Sequence, residues 1–311
     1  MRRAALAAAG AALLGLAVAA CVHEVGDPRP AEADGFADGI DVRLHWHARG
    51  RGPDTLIIAS GGPGFSSETV APLEQLAGGS RRVIRFDPRG TGRSGRPADG
   101  GYRLEDYVDD LESVRIAAGA PRVDLLGQSF GGLVVLAYAS AHPDRVRDLV
   151  LVGSAPPFAS SLARGQQRFE ERLEALAKRG ITPAAIPGGP DDDCRAAFAS
   201  IQPAYFADPS DPAASEDEGA TCSRSVATAS WQQLPSDGYD LRPKLAALDR
   251  PVLVIQGRSD PFGTEWADDV VSSLPHARAR EILLDRCGHH PWHEEGSCPS
   301  EFFADVEAFL R

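Results

Sequence analysis

Six short stretches of the chain are largely apolar and stop at turn-forming residues. They are "TLIIAS" (55–60), "RVIRFD" (82–87), "VDLLGQS" (123–129), "VRDLVLVGSA" (146–155), "PVLVIQG" (251–257) and "REILLDR" (280–286). Runs this short, rich in Val, Ile and Leu, suit strands buried on both faces, as in a parallel sheet. Between them the apolar spacing lengthens to that of a helix, over 104–118, 131–141, 264–274 and 300–310. Strand alternating with helix predicts an α/β protein with a mostly parallel, doubly wound sheet. A pair of antiparallel strands is expected ahead of it, near 36–50.

The rhythm breaks between about 157 and 247. One helix is expected over 162–179, after which Pro, Ala, Asp and Ser dominate until the strand pattern resumes at Pro251. This predicts a core in two parts, 36–156 and 248–311, with a mainly helical cap, 157–247, inserted between them. Such a cap would lie over the carboxyl ends of the strands, where open α/β sheets bind ligands.

Composition adds compartment and charge. The 311 residues are 43% hydrophobic and 24% charged, a globular balance. With 44 acidic against 32 basic side chains the net charge is -12, which excludes a nucleic-acid partner because that needs a basic face. Arg2 and Arg3 precede an unbroken run of Ala, Gly and apolar residues that ends in Val18-Ala19-Ala20-Cys21. Residues 1–21 therefore read as a signal peptide, too short and too weakly hydrophobic for a spanning helix. Its end resembles a bacterial lipobox, in which the cysteine, here Cys21, is lipidated. Residues 22–35 read as a polar tether. The expected location is the cell envelope, touching the membrane only through the lipid; a secreted form and an uncleaved anchor are the alternatives.

Export changes what the cysteines mean. With Cys21 lipidated, Cys194, Cys222, Cys287 and Cys298 remain, enough for two bridges in an oxidising compartment. Proximity favours Cys194–Cys222 and Cys287–Cys298, although three pairings exist and four free thiols is the bland reading. No CxxC pair suggests zinc.

The chemistry begins at Gly127-Gln128-Ser129-Phe130-Gly131, a G-x-S-x-G at a strand-to-helix junction. Glycines on both sides allow a sharp turn that lifts the serine hydroxyl above the sheet, beside helix amides that favour negative charge. An activated serine needs a base, and the base needs an orienting acid. Asp260 follows the run at 251–257, and His289 follows the run at 280–286, giving the chain order serine, acid, histidine. His290 and His293 are rivals to His289, but their spacing across a proline-containing loop does not make a metal site. Two donors must face the developing oxyanion. The amide of Phe130 is one, and Gly62 of the Gly61-Gly62-Pro63-Gly64 loop is the expected second. His45 and His47 alternate on an early strand and read as sheet-face or solvent residues.

Five motifs occur in order: Gly61-Gly62-Pro63-Gly64, Asp87-Pro88-Arg89-Gly90-Thr91-Gly92-Arg93-Ser94, Gly127-Gln128-Ser129-Phe130-Gly131-Gly132, Gly257-Arg258-Ser259-Asp260 and Gly288-His289-His290-Pro291-Trp292. Together they resemble the α/β-hydrolase fold, and within it the prolyl-aminopeptidase-like branch, over about 36–156 and 247–311. The resemblance implies a serine hydrolase without cofactor, whose cap shapes the pocket. Two departures stand out. Ser60 occupies the position where family members usually carry histidine, and the cap glutamates that hold a substrate ammonium in prolyl aminopeptidases have no position-by-position match. Residues 191–218 do carry eight acids against Arg195 alone, which would draw a cationic N-terminus or simply solvate a loop. Arg89 and Ser94 read as structural, and a Cys287–Cys298 bridge would brace the His289 loop.

The expected protein is an exported serine hydrolase acting on short peptides or aminoacyl amides. Small esters are the alternative substrates, and a non-catalytic binding lipoprotein is the alternative of another class. The oligomeric state is open.

Overall fold

The computed structural model describes residues 31–311 apart from 184, 186–193, 216–218 and 235–237. Eight strands form one sheet: β1 (Glu32–Asp38), β2 (Arg43–Arg49), β3 (Asp54–Ala59), β4 (Arg81–Phe86), β5 (Val123–Gln128), β6 (Val146–Val152), β7 (Pro251–Gly257) and β8 (Arg278–Leu284). The spatial order is β1-β2-β4-β3-β5-β6-β7-β8. β1 and β2 pair antiparallel, β2 meets β4 antiparallel, and every later pairing is parallel.

The continuous apolar runs have a simple cause. On β3, Leu56 and Ile58 enter one core while Ile57 enters the other, and on β6 Leu149 and Leu151 face away from Val150 and Val152. A strand covered on both faces has no reason to alternate with polar residues. One face is covered by α1 (Leu104–Ala117) and α2 (Phe130–Ala141), and the other by a 3-10 helix, Ser67–Leu76. The inserted segment carries α3 (Ala159–Lys178), α4 (Arg195–Ile201), α5 (Arg224–Gln232) and α6 (Arg242–Leu245). The chain then returns to the sheet, where α7 (Glu265–Ser272) and α8 (Cys298–Phe309) complete the two layers. Among the described residues no helix is long and apolar enough to cross a membrane.

One boundary is corrected. β1 begins at Glu32, so residues 32–35, read as tether, are part of the sheet. The stretch Glu-Ala-Asp-Gly-Phe-Ala-Asp buries only Ala37, because an edge strand is held by backbone pairing and needs little apolar pattern. The leader, its lipobox and Cys21 lie outside the described residues.

Candidate active site

Ser129 joins β5 to α2 with φ 54° and ψ -121°. A non-glycine residue held there costs of order 1–3 kcal/mol, so its surroundings must hold it. Its N–H donates to the Val152 carbonyl at 3.0 Å, and its own carbonyl accepts from Gly132 and Ala155, each at 2.9 Å. The neighbouring glycines are sterically required. A β-carbon at Gly131 would fall on the Ala59 carbonyl, one at Gly132 on Ser154 Oγ, and one at Gly127 against the Gly131 carbonyl. Strand, helix and serine turn thus close on one another with no room for side chains.

Asp260 and His289 stand at the ends of β7 and β8. His289 Nδ1–H donates to Asp260 Oδ2 at 2.7 Å, and Asp260 Oδ1 accepts from the Phe262 amide at 2.9 Å. Both side chains are shut off from water, at 2% and 0% exposure. Gly153, at the end of β6, lies beneath the pair; a β-carbon there would come within 2.9 Å of His289 Nδ1. Of the three histidines, His289 holds the carboxylate. His290 instead stacks on Tyr205 with ring centroids 5.6 Å apart. Burial, helped by the charges of His289 and His293, holds its pKa well below the ordinary imidazole range.

Ser129, His289, Gly61 and Gly62 line one cavity of about 440 Å³, walled opposite by Phe169, Phe198, Tyr205 and Trp231 of the cap. Phe130 opens α2, where an amide has no partner inside the helix, while its ring packs away against Tyr107 and Trp231, each 5.3 Å off. The Gly61–Gly64 loop is sewn to the cap: Ser223 N–H donates to Gly64 O at 2.8 Å and Ser66 N–H to Thr221 O at 2.9 Å. Among the described residues no carboxylate lines the cavity. Of the eight acids in 191–218, Asp208 and Asp211 are described, and neither faces the cavity; the other six lie outside the described residues.

Both favoured disulfides are closed. Cys194–Cys222 ties the start of α4 to the segment that holds the Gly61–Gly64 loop, with Cα atoms 5.5 Å apart. Cys287–Cys298 ties the residue before Gly288-His289 to the start of α8, at 5.8 Å. Arg89 is buried, with Nε and Nη2 donating to Asp110 at 2.7 and 2.8 Å, and Ser94 Oγ donates to the Asp87 carbonyl at 2.6 Å. The turn bearing them is structural. His45 is buried between Asp87 and Asp34.

The sequence reading missed Glu294 and Gln128. Glu294 is buried, with its carboxylate on the amides of Gly288 and Ala207. Gln128 lines the cavity, and its Nε2 has no partner among the described residues. A glutamine just before the nucleophile was a signal available for the second. For the first, nothing separates Glu294 from its neighbour Glu295.

Comparison with known proteins bears on the fold. The family model described as the alpha/beta hydrolase fold matches residues 54–175. A proline iminopeptidase of Lactobacillus delbrueckii subsp. lactis is 29% identical over 85% of this chain and 92% of its own length. A 2-hydroxymuconate semialdehyde hydrolase of a Pseudomonas species is 43% identical over 37% of this chain and 41% of its own. The crystal structure of the Mycobacterium smegmatis proline iminopeptidase superposes with a TM-score of 0.67 at 22% identity, over 89% of this chain and 97% of that one. The chain therefore has the α/β-hydrolase fold, and the proline iminopeptidases similar to it along most of its length are hydrolases of that fold.

Proposed function

We propose that the chain is a serine hydrolase whose nucleophile is Ser129. His289 takes the hydroxyl proton as the oxygen attacks a carbonyl carbon, then hands it to the leaving group. Asp260 fixes the Nδ1–H tautomer and stabilises the imidazolium. The Gly62 and Phe130 amides hold the oxyanion, and water releases the acyl group from Ser129. The observation that carries this reading is the shielded His289–Asp260 hydrogen bond beside a serine held at positive φ in the same cavity.

The substrate reading is a short peptide or aminoacyl amide cut at its N-terminal end. The proline iminopeptidases aligned along nearly their whole length support it, as does a cavity lined by aromatic and apolar side chains. A small ester is the second reading. It is favoured because no carboxylate among the described residues lines the cavity to hold a free ammonium. The proposal includes export and lipidation at Cys21, supported by the leader sequence and by two disulfides in the folded part; mass spectrometry of the processed N-terminus tests it.

The deciding experiment compares kcat/KM for prolyl, alanyl and N-blocked coumarylamides with that for p-nitrophenyl esters, using protein lacking residues 1–21 and Ser129→Ala as the blank. Cleavage of unblocked amides establishes the aminopeptidase. Ester turnover without amide cleavage moves the substrate to esters, and turnover that survives Ser129→Ala overturns the nucleophile.

A further inference from the structure

We infer that Glu294 is a positioning residue for His289, a buried carboxylate that fastens the histidine loop to the cap so that base and pocket wall are set together. The inference rests on His289 being the general base.

The side chain is 5% exposed, and its two oxygens serve two different parts of the chain. Oε1 accepts from the Gly288 amide, immediately before His289. Oε2 accepts from the Ala207 amide in the cap at 3.1 Å. The same two strands of backbone meet once more, where His289 N–H donates to the Tyr205 carbonyl at 2.8 Å. Tyr205 carries the consequence into the pocket: its ring lies 5.6 Å from that of His289 and lines the cavity wall. Moving the Glu294 contacts therefore moves His289 and the pocket wall as one unit. Beside it, Glu295 N–H donates to Asp211 Oδ2 of the cap at 2.9 Å, so both glutamates join the loop to the cap.

The chemistry favours the ionised form. A carboxylate accepts at both oxygens, whereas a protonated acid or an amide presents a donor at one end. Two N–H groups aimed at two oxygens are best matched by the carboxylate, because the hydroxyl oxygen of a protonated acid is the weaker acceptor. Burial pushes the group up to about 7, against the pull of the Gly288 and Ala207 amides and with the charges of Asp211 and Asp260 adding to the rise. The charged and titratable groups around it are Asp211 of the cap, Asp260 after β7, Arg172 of α3, and His289, His290 and His293 of its own loop. Near neutrality, then, one proton on Glu294 turns the oxygen facing one of these amides into a hydroxyl and re-aims the backbone that seats His289.

The test uses the intact folded protein. With both His289 and Glu294 required in their deprotonated forms, the acid limb of log kcat/KM against pH has a slope of about two. Glu294→Gln brings the slope to about one and lowers kcat about ten- to a hundredfold, with KM within about threefold. A merely structural role would lower the melting temperature without changing the slope. Hydrogen exchange supplies a readout independent of turnover and of the variant's folding: in the wild type, protection of segments 204–210 and 286–292, corrected for intrinsic rates, rises as pH drops from 8 to 6, because the closed state holds the Glu294 proton more tightly than the opened one. A wild-type slope of one, a Gln variant with undiminished kcat, or pH-invariant protection in both segments overturns the inference. If Ser129→Ala keeps its turnover, the reading of the nucleophile has failed instead, and exchange alone decides whether Glu294 joins loop and cap.

Discussion

Two buried carboxylates, one on each side of the sheet's parallel half, show how the molecule divides its labour. Asp87, after β4, accepts from the Ser67 amide and hydroxyl, the Arg93 amide and the His45 ring. Burial alone would raise its pKa, but those bonds outweigh burial and hold it below the ordinary carboxylate range. Glu294 is just as hidden, yet it accepts from two amides with two other carboxylates nearby, and it rises instead. The number of donors and the sign of the neighbours set the direction; burial is common to both. The first region is closed and over-satisfied, so it holds the Ser67 and Arg93 segments in place. The second holds a histidine and a cap segment at the edge of the cavity, with fewer bonds and a proton that exchanges near neutrality.

The sharpest way to break this contrast is to change a residue on the histidine side and look for lost stability. Asp260→Asn keeps the shape of the side chain but offers an N–H to His289 Nδ1, forcing the other tautomer. It lowers kcat about ten-thousandfold, while the unfolding free energy measured in urea stays within about 1 kcal/mol of wild type. A loss of folding as large as the loss of turnover would mean that Asp260 is a structural residue like Asp87.

The converse substitution is Asp87→Ala. It strands the Ser67 and Arg93 amides and the His45 ring in a buried space, at a cost of about 3–5 kcal/mol in unfolding free energy. Turnover per folded molecule, counted by active-site titration, stays at the wild-type value. A variant of normal stability and reduced kcat would reverse the assignment of the two regions.

The same division explains what the sequence made legible. The strands at 55–60 and 146–155 were visible because a doubly covered sheet demands unbroken apolar runs, and Ser129 was visible because the steric demand at Gly127, Gly131 and Gly132 leaves a pattern in the residues themselves. Asp260 and His289 followed from their places after two such strands. β1 left no pattern, since backbone pairing holds it. The cap helices α4 and α5 escaped because they are short and rich in Ala and Ser. Glu294 could not be told from Glu295 because what separates them is where two distant amides point. Long-range backbone contacts of that kind carry no local signature.

The smallest effect is also the most direct comparison of the two carboxylates. Asp87, with its folded pKa lowered from 3.8, adds stability that is complete above that value and is lost as pH falls through it and below. Glu294, with its folded pKa raised from 4.5 to about 7, does the opposite: the unfolded chain releases its proton first, so stability is lost as pH rises between those values and is flat above. Glu294→Gln removes only the second slope. Unfolding free energies of wild type and variant, measured in urea at several pH values, should therefore diverge by about 1–2 kcal/mol between pH 5 and 8, with the wild type losing ground as pH rises. Below pH 4 the two curves should fall together, because Asp87 is untouched. Parallel curves across the neutral range would place the Glu294 proton in the same acidic window as that of Asp87, and the two regions would then differ in position alone.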